Sequence, residues 1–315
     1  MNLCFGSIKV LTGNSNRPLV KHICKELGLN LSRSDVTHFS DGEININITE
    51  TVRGADVFII QSTSTPVNDN LMETLILIDA CKRASAGRIN VVLPYYGYAR
   101  QDRKTKAREP ITAKLVADLL TTAGADRVVS MDLHAGQIQG YFDIPVDHLS
   151  AIPILANYFK PLVSENTVIV SPDLGGVTRA RNFANILDLP IAIIEKRRPK
   201  ANESEVMNVI GDIADKDVIL VDDIIDTAGT ICKAASVLKN FGAKKVYGCA
   251  THGVLSGPAI ERISDSALEK FIITDTIQLP ESCRIDKIEI VSVAYILAKA
   301  IRRINENESI SVIFD

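Results

Sequence analysis

The chain has 315 residues, 46% of them hydrophobic and 23% charged, which is enough to bury two ordinary cores of about 150 residues each. Net charge is −3, aromatics are 5% and tryptophan is absent, so nucleic acid is not expected as the main ligand. No apolar run approaches the ~20 residues of a membrane helix, and no signal-peptide core is present. Six scattered cysteines without a CxxC pair indicate reduced thiols and a cytoplasmic protein.

Short β-rich runs alternate with helical stretches, which predicts an α/β fold with mostly parallel sheets. The residues 44–49, ININIT, alternate apolar and polar and are predicted as a half-exposed antiparallel hairpin strand. The other predicted strands are residues 8–12, 56–61, 89–94, 126–133, 167–173, 190–196, 217–223 and 244–251.

Four helices are predicted between these strands, each closed by a glycine that can adopt the left-handed conformation at a helix end. Pro110 is placed just inside the start of the third helix. The helices and their closing residues are 17–27 with Gly28, 69–86 with Gly87, 111–123 with Gly124, and 229–241 with Gly242.

An internal repeat is visible in two segments. LLTTAGADRVVSMDLHAG (119–136) aligns without a gap with VLKNFGAKKVYGCATHGV (237–254), at an offset of 118. His134 then matches His252. The repeat predicts two similar α/β halves that meet near residues 147–153. The alternative is that helix–glycine–strand units occur in all α/β proteins and the match has no further meaning.

The stretch VILVDDIIDTAGT (218–230) ends an apolar strand on Asp222 and Asp223. Ligands of open α/β sheets bind beyond the carboxyl ends of the strands. Small residues then lead into a helix whose first amides favour an anion. This predicts a phosphorylated pentose, with hydroxyls on the two carboxylates and phosphate on the loop. The alternative is a capped helix start with exposed aspartates. The loop residues are Asp226, Thr227, Ala228, Gly229 and Thr230.

This stretch resembles the phosphoribosyl diphosphate binding motif of the type I phosphoribosyltransferase superfamily. Other motifs extend the resemblance over nearly the full length to the ribose-phosphate pyrophosphokinase family. They are FSDGE (39–43), VRGADVFIIQSTSTPVNDNLME (52–73), PYYGYARQDRK (94–104), DLHAGQIQG (132–140), VSPDLGG (170–176) and EKRRPK (195–200).

The resemblance implies an α/β fold of two tandem phosphoribosyltransferase-type domains, each a mostly parallel sheet flanked by helices. Residues 1–148 would form the N-terminal ATP-side domain. Residues 149–315 would form the C-terminal domain that binds ribose 5-phosphate, with the last dozen residues packing back on the first. The active site would lie in the cleft between them.

The activity implied by the resemblance is transfer of the diphosphoryl group of MgATP to O1 of ribose 5-phosphate. The products would be 5-phospho-α-D-ribose 1-diphosphate and AMP, for nucleotide biosynthesis. One rival is a non-catalytic associated subunit, which should have lost the 195–200 loop or the Asp222–Asp223 pair. A second is a base-dependent phosphoribosyltransferase, which needs no ATP site such as residues 94–104.

For ATP, the resemblance implies that Phe39 stacks on adenine while the turn and a second loop contact the nucleotide. By themselves the FSDGE residues are merely typical of a turn, whereas the two arginines of the second loop suit phosphate oxygens. The implied ATP residues are Phe39, Asp41, Gly42, Glu43, Arg100, Gln101, Asp102 and Arg103.

The resemblance also implies two Mg²⁺ ions per site. One would be bound by His134 and Asp173 and travel with ATP. The other would bridge the pentose hydroxyls and the Asp222–Asp223 pair. Without the resemblance, a lone histidine is more often a hydrogen-bonded core residue, and Mg²⁺ prefers oxygen ligands.

Residues 195–205 are rich in charge and contain Pro199, which predicts an exposed loop. The resemblance makes it a catalytic lid that carries Lys196 and Arg198, with Arg198 also contacting ribose 5-phosphate. Cations on a closing lid suit phosphoryl-type transfer, which depends on positioning and charge neutralisation. The alternative is a solvated surface run.

Finally, the resemblance implies a homo-hexamer under allosteric control, activated by phosphate and inhibited by ADP. The terminal residues 308–315 form an apolar, strand-like run that a monomer would leave half exposed. The alternative is a tail that only caps the N-terminal sheet. The implied regulatory anion site comprises Thr51, Arg53, Arg108, Ser309, Ser311 and Phe314.

Overall fold

The computed structural model describes residues 6–197 and 206–313. The chain divides into two compact units. The first comprises Met1–Ser150, Thr276–Gln278 and Ser292–Asp315, and the second comprises Ala151–Asp275 and Leu279–Val291. None of the helices in the described ranges is long and apolar enough to span a bilayer.

The strands are β1 (Ile8–Thr12), β2 (Ser34–His38), β3 (Ile44–Ile48), β4 (Asp56–Ile60), β5 (Arg88–Leu93), β6 (Arg127–Met131), β7 (Val146–Leu149), β8 (Thr167–Ser171), β9 (Ile191–Arg197), β10 (Val206–Ile210), β11 (Asp217–Ile225), β12 (Lys245–Gly253), β13 (Lys270–Thr274) and β14 (Ile288–Val291). The α-helices are α1 (Arg17–Leu27), α2 (Val67–Arg83), α3 (Thr112–Ala123), α4 (Ile152–Phe159), α5 (Val177–Leu187), α6 (Gly229–Asn240), α7 (Ala259–Asp265) and α8 (Ala294–Asn305). Short 3₁₀ turns cover Gly136–Tyr141, Glu281–Cys283 and Ser311–Ile313.

The first unit is built on a five-stranded sheet in the order β1-β4-β5-β6-β7, in which every pairing is parallel. All five residues of β4 are buried, as expected of a strand covered on both faces. A separate antiparallel hairpin joins β2 to β3. The carboxyl ends of the five parallel strands share one edge, where the loops that follow β5 and β6 begin.

The second unit contains a seven-stranded sheet in the order β10-β9-β8-β11-β12-β13-β14. Its pairings are parallel except that β10 runs antiparallel to β9. Successive residues of β11 pack into two different cores. Val218 and Leu220 contribute to a cluster that includes α6 and α7, whereas Ile219 and Val221 contribute to one that includes α4 and α5. Helices therefore cover both faces.

The α/β prediction is confirmed, and every predicted strand overlaps an observed one. The predicted antiparallel hairpin strand is β3, paired with β2.

Three local predictions are wrong. Helix α2 ends at Arg83 rather than 86, because Ser85 and not Gly87 takes the left-handed conformation, with φ 60°. Pro110 precedes α3, whose start is fixed by a hydrogen bond from Ala113 N to Gln101 O of 3.2 Å. The strand-like terminus forms a 3₁₀ turn at Ser311–Ile313.

The two repeat segments adopt the same local structure. In each, a helix stops at a glycine with positive φ (119° at Gly124 and 92° at Gly242), and a buried strand follows. The strand β6 lies between β5 and β7, and β12 lies between β11 and β13. The aligned residues therefore occupy an interior strand of each sheet.

The C-terminal helix α8 belongs to the first unit, although the predicted second domain, residues 149–315, includes it. Asp56, only 1% exposed, accepts hydrogen bonds of 2.8 and 2.6 Å from Arg88 and one of 2.9 Å from Asn305. Arg88 also donates to Ile304 O at 3.1 Å. A buried, paired charge thus fixes the end of α8 to strands β4 and β5.

Candidate active site

The two aspartates of the predicted pentose site lie near the end of β11. Strand β8 pairs with β11 only as far as Leu220, whereas β12 continues alongside to Ile225. Asp222 and Asp223 therefore lie beyond the end of β8, where β11 is still paired with β12 on one side but no longer with β8 on the other. Their side chains are 20% and 5% exposed, so both are largely withdrawn from water.

A guanidinium group lies between these two carboxylates. Arg179, in the first turn of α5, places Nη1 3.3 Å from Asp222 Oδ1 and Nη2 3.2 Å from Asp223 Oδ1. The backbone N–H of Asp223 also donates to Asp222 Oδ1 at 2.9 Å. Sequence reasoning anticipated a cation here but missed Arg179. In the sequence, the only sign of this role is the position of Arg179 three residues after Gly176. The nearby Arg181 is a residue of the same type and is not distinguished from it by any local pattern.

Crowding changes the acidity of the pair. Burial raises the pKa of Asp222 to about 8, and the hydrogen bond to Asp223 and its charge act in the same direction. Arg179 opposes this rise in the pKa only in part. The raised pKa favours the protonated form of Asp222 at neutral pH, whereas a bound cation or hydroxyl donors would favour the ionised form.

The predicted phosphate loop, residues 226–230, is supported from behind by residues 254–262. Ser256 hydrogen-bonds the Asp226 side chain and, through its N–H at 3.0 Å, the Asp226 carbonyl. Arg262 donates to Thr227 O at 2.9 Å. Ala228 is buried in a left-handed conformation, with φ 57°, immediately before α6. The first amides of α6 lack intrahelical acceptors and suit an anion.

Asp173 lies in the loop between β8 and α5. Its Oδ1 accepts a hydrogen bond of 3.0 Å from Gly176 N, and its carbonyl accepts one of 2.7 Å from Ser171 Oγ. The side chain is half-buried. The loop is thus closed on itself, and the carboxylate stands at the carboxyl end of β8, the strand next to β11.

His134 is exposed in the loop that follows β6. Strand β7 shapes this loop: Asp132 N donates to Leu149 O at 2.9 Å and Leu133 N donates to His148 Nε2 at 2.9 Å. Burial lowers the pKa of His148, consistent with a neutral ring that accepts this bond. The repeat partner His252 differs, because it lies within β12 and is 4% exposed.

The loop after β5 carries the candidate ATP residues 100–103. Arg100, Gln101 and Arg103 are exposed, whereas Asp102 is 7% exposed. Gln137 donates to Asp102 Oδ2 at 2.9 Å, and Tyr141 hydrogen-bonds the Asp102 carbonyl. Asp102 therefore anchors its loop to the 3₁₀ turn that follows His134. The structure brings these two predicted segments together.

The FSDGE residues form the turn of the β2–β3 hairpin. Phe39 N donates to Glu43 O at 2.8 Å, Gly42 N donates to Phe39 O at 2.9 Å, and Glu43 N donates to Asp41 Oδ1 at 3.1 Å. Gly42 has φ 94°. These hydrogen bonds are internal to the turn. They leave the Phe39 ring 55% exposed, as a stacking surface requires.

Two catalytic candidates are only partly visible. The backbone of Lys196 lies in β9, where it pairs with Met207 of β10, but its side chain is outside what the structure describes. Arg198 lies outside the described residues. The sheet therefore positions the backbone of Lys196 one residue before the end of the described part of this segment.

The regulatory candidates are exposed wherever the structure describes them. Arg53 N donates to Thr51 Oγ1 at 3.4 Å, and Arg108 has a left-handed backbone with φ 67°. The hydroxyls of Ser309 and Ser311 are 2.7 Å apart. Phe314 lies outside the described residues.

The donor set can be tested against Mg²⁺. Across residues 6–197 and 206–313, no cluster of three or more His, Cys, Asp or Glu side chains could enclose a metal ion. The paired carboxylates of Asp222 and Asp223 nevertheless fit Mg²⁺, which proteins usually bind through one or two carboxylates together with water and substrate oxygens.

Comparisons with known proteins cover nearly the whole chain. A family model for the N-terminal domain of ribose phosphate pyrophosphokinase matches residues 8–124, and one for the phosphoribosyl synthetase-associated domain matches residues 199–315. The chain is 64% identical over 311 residues, 98% of each chain, to a ribose-phosphate pyrophosphokinase of Clostridium perfringens. It is 60% identical over 315 residues, 100% of each chain, to that of Bacillus caldolyticus. The crystal structure of phosphoribosylpyrophosphate synthetase from Mycobacterium smegmatis superposes with a TM-score of 0.90 at 44% identity, covering 96% of this chain and 99% of that one.

The raised pKa of Asp222 makes a testable prediction about stability. A carboxyl whose pKa is raised on folding destabilises the folded state as pH climbs from about 4 to about 8, and the penalty is constant above that. The variant Asp222→Asn removes this loss of stability, because its side chain does not ionise. Without ligand, its melting temperature should be several degrees higher than that of wild type at pH 8, and the difference should vanish near pH 4. Scanning calorimetry measures this. Asp212→Asn is the control, because Lys216 lowers the pKa of that carboxyl. A variant less stable than wild type at pH 8 would contradict the assignment.

The two aligned histidines should respond differently to substitution. If His134 binds Mg²⁺ as the resemblance implies, His134→Ala should raise the Mg²⁺ and ATP concentrations needed for half-maximal rate. Because its side chain is exposed, the melting temperature should stay nearly unchanged. His252→Asn alters a buried strand residue, so it should lower the melting temperature and spare the Mg²⁺ requirement. Steady-state kinetics and calorimetry on both variants decide between them. A larger rise in the Mg²⁺ requirement for the His252 variant than for the His134 variant would contradict the assignment of His134 and favour His252 as the metal ligand.

Proposed function

The chain belongs to the ribose-phosphate pyrophosphokinase family, and from that premise we propose that it transfers the diphosphoryl group of MgATP to O1 of ribose 5-phosphate. The products are 5-phospho-α-D-ribose 1-diphosphate, a precursor for nucleotide biosynthesis, and AMP. The observation that carries the proposal is the Asp222–Asp223 pair, which lies near the end of β11 and is followed by a short loop and the start of α6.

Recognition of the pentose follows from this juxtaposition. The carboxylates of Asp222 and Asp223 accept hydrogen bonds from the sugar hydroxyls, and the amides of residues 227–230 receive the 5-phosphate. The loop is preorganised, because Ser256 and Arg262 already hold the Asp226 and Thr227 backbone in place. Preorganised donors lose less conformational entropy when ligand binds.

Recognition of ATP uses the first unit. The exposed guanidinium groups of Arg100 and Arg103 suit triphosphate oxygens, and Gln101 lies beside them at the start of α3. Asp102 keeps this loop against the segment that presents His134. The exposed ring of Phe39 stacks on adenine, with Asp41, Gly42 and Glu43 of the same turn contacting the nucleoside.

Two Mg²⁺ ions per site complete the proposal. His134 and Asp173 would hold the ion that accompanies ATP, and the Asp222–Asp223 pair would hold one beside the pentose. When bound, Mg²⁺ neutralises negative charge on phosphate oxygens. The carboxylate oxygens of the pair offer the hard ligands that such an ion prefers.

In the transfer step, the 1-hydroxyl of the pentose attacks the β-phosphorus of ATP in line with the departing oxygen. The bond from the β-phosphorus to the α–β bridging oxygen breaks, AMP leaves with that oxygen, and the hydroxyl proton is released. Lys196 and Arg198 stabilise charge on the transferring oxygens. A lid that carries both cations also excludes water.

Assembly and regulation extend the proposal. We infer a homo-hexamer in which phosphate activates and ADP inhibits at the regulatory residues, including Thr51, Arg53, Arg108 and Phe314. In support, Arg53 and Arg108 are exposed cations and the Ser309 and Ser311 hydroxyls are adjacent, which suits an anion. Free cysteines at every described cysteine position favour a cytoplasmic location.

The test is to incubate the protein with ribose 5-phosphate and MgATP and to follow AMP and phosphoribosyl diphosphate by ³¹P NMR. Both should form in equal amounts. Lys196→Ala should lower turnover by about a hundredfold or more, since a transition-state cation is lost. A melting temperature within about 2 °C of wild type would show that the lost turnover is a catalytic effect and not a loss of folding.

Lys200→Ala, in the same charged run but without an assigned role, is the matched control and should keep near-normal turnover. AMP without phosphoribosyl diphosphate, or no AMP at all, would overturn the proposed function. Equal losses in the Lys196 and Lys200 variants would remove only the assignment of Lys196.

A further inference from the structure

Arg179 takes part in none of the binding or catalytic roles assigned above, yet its guanidinium contacts both pentose carboxylates. Its side chain is 20% exposed, in contrast to Arg181 on the same helix, which is exposed. An ion pair in open solvent contributes little, because water and salt screen it. This one is largely sheltered, so its charge and geometry matter more.

The contacts of Arg179 fix the geometry of the pair. Nη1 reaches Asp222 and Nη2 reaches Asp223, at 3.3 and 3.2 Å. A guanidinium is planar and rigid, so two carboxylates on its two terminal nitrogens are held at a set separation. A lysine ammonium is a single point charge and cannot impose that separation.

The same guanidinium also lies against the loop that carries Asp173. A methyl group built on Gly176 would be 3.5 Å from Arg179 Nη1, 3.7 Å from Asp173 Oδ1 and 2.9 Å from Ser171 Oγ. The backbone at Gly176 therefore packs between Arg179 and Asp173. Arg179 connects the β8–α5 loop to the end of β11, two neighbouring strand ends of one sheet.

We infer that Arg179 is a positioning residue for pentose selectivity: it holds Asp222 and Asp223 in the orientation that accepts two neighbouring sugar hydroxyls. This inference rests on the proposed function, because it takes the pair as the pentose site. It follows that Arg179 matters most for a sugar carrying both hydroxyls and least for one that lacks the 2-hydroxyl.

The experiment compares wild type with Arg179→Ala, Arg179→Lys and the control Arg181→Ala, using ribose 5-phosphate and 2-deoxyribose 5-phosphate. Arg179→Ala should raise KM for ribose 5-phosphate about tenfold, the effect of losing one charge-assisted contact, and change KM for ATP by less than about twofold. The preference for ribose over deoxyribose 5-phosphate should fall. Arg179→Lys should restore only part of it, and Arg181→Ala should match wild type.

Calorimetric titration of ribose 5-phosphate distinguishes a failure of the proposed function from a failure of the positioning role of Arg179. If wild type does not bind ribose 5-phosphate, the proposed function fails, and the inference fails with it. If wild type binds and Arg179→Ala binds equally well with unchanged selectivity, only the inference is overturned. If Arg179→Ala does not fold, Arg179→Lys is compared with wild type. Affinity and selectivity equal to those of wild type would show that the positive charge alone suffices, and would overturn the positioning role.

Discussion

The repulsion between the side chains of Asp222 and Asp223 is the constraint on which the site depends. Two adjacent carboxylates, withdrawn from water at the end of β11, cannot both be ionised without a partner. The protein resolves this with a retained proton, reflected in the raised pKa of Asp222, and with the guanidinium of Arg179. Under the proposed function, binding of sugar hydroxyls and a divalent cation at the pair would displace this proton.

The fold supplies this arrangement by ending β8 earlier than β12 alongside β11. The carboxylates are then reachable from the side where the Asp173 loop lies. In the first unit the same principle operates at another sheet edge, where the loop after β5 and the loop after β6 are joined through Asp102 and Gln137. In both units the strands are largely buried, and the candidate site residues lie at strand ends or on the loops that follow them.

The strands and the segment that contains the paired carboxylates were predictable from the sequence, because they depend on local patterns. Apolar runs located the strands, and the run from Asp222 to Thr230 predicted a pair of carboxylates near a strand end, followed by the start of a helix. Contacts between distant residues were not predictable. Arg179 reaches Asp222 across 43 positions, and no local pattern distinguishes it from Arg181. The placement of α8 with the first unit depends on Asn305 meeting Asp56, and that contact is equally invisible in the sequence. Asp102 matched a ligand motif, yet its burial shows that it also anchors the loop, which only packing reveals.

Proton release on binding tests the central claim most directly. Ribose 5-phosphate and Mg²⁺ are titrated into the protein at pH 7.5, where a sugar phosphate with a second pKa of about 6 is already mostly dianionic. Repeating the titration in buffers of different ionisation enthalpy counts the protons released. With the pKa of Asp222 near 8, most of one proton per site should appear at pH 7.5 and almost none at pH 9.5. A binding heat that is independent of the buffer at pH 7.5 would contradict the account, because the pair would then hold no proton for ligand to displace.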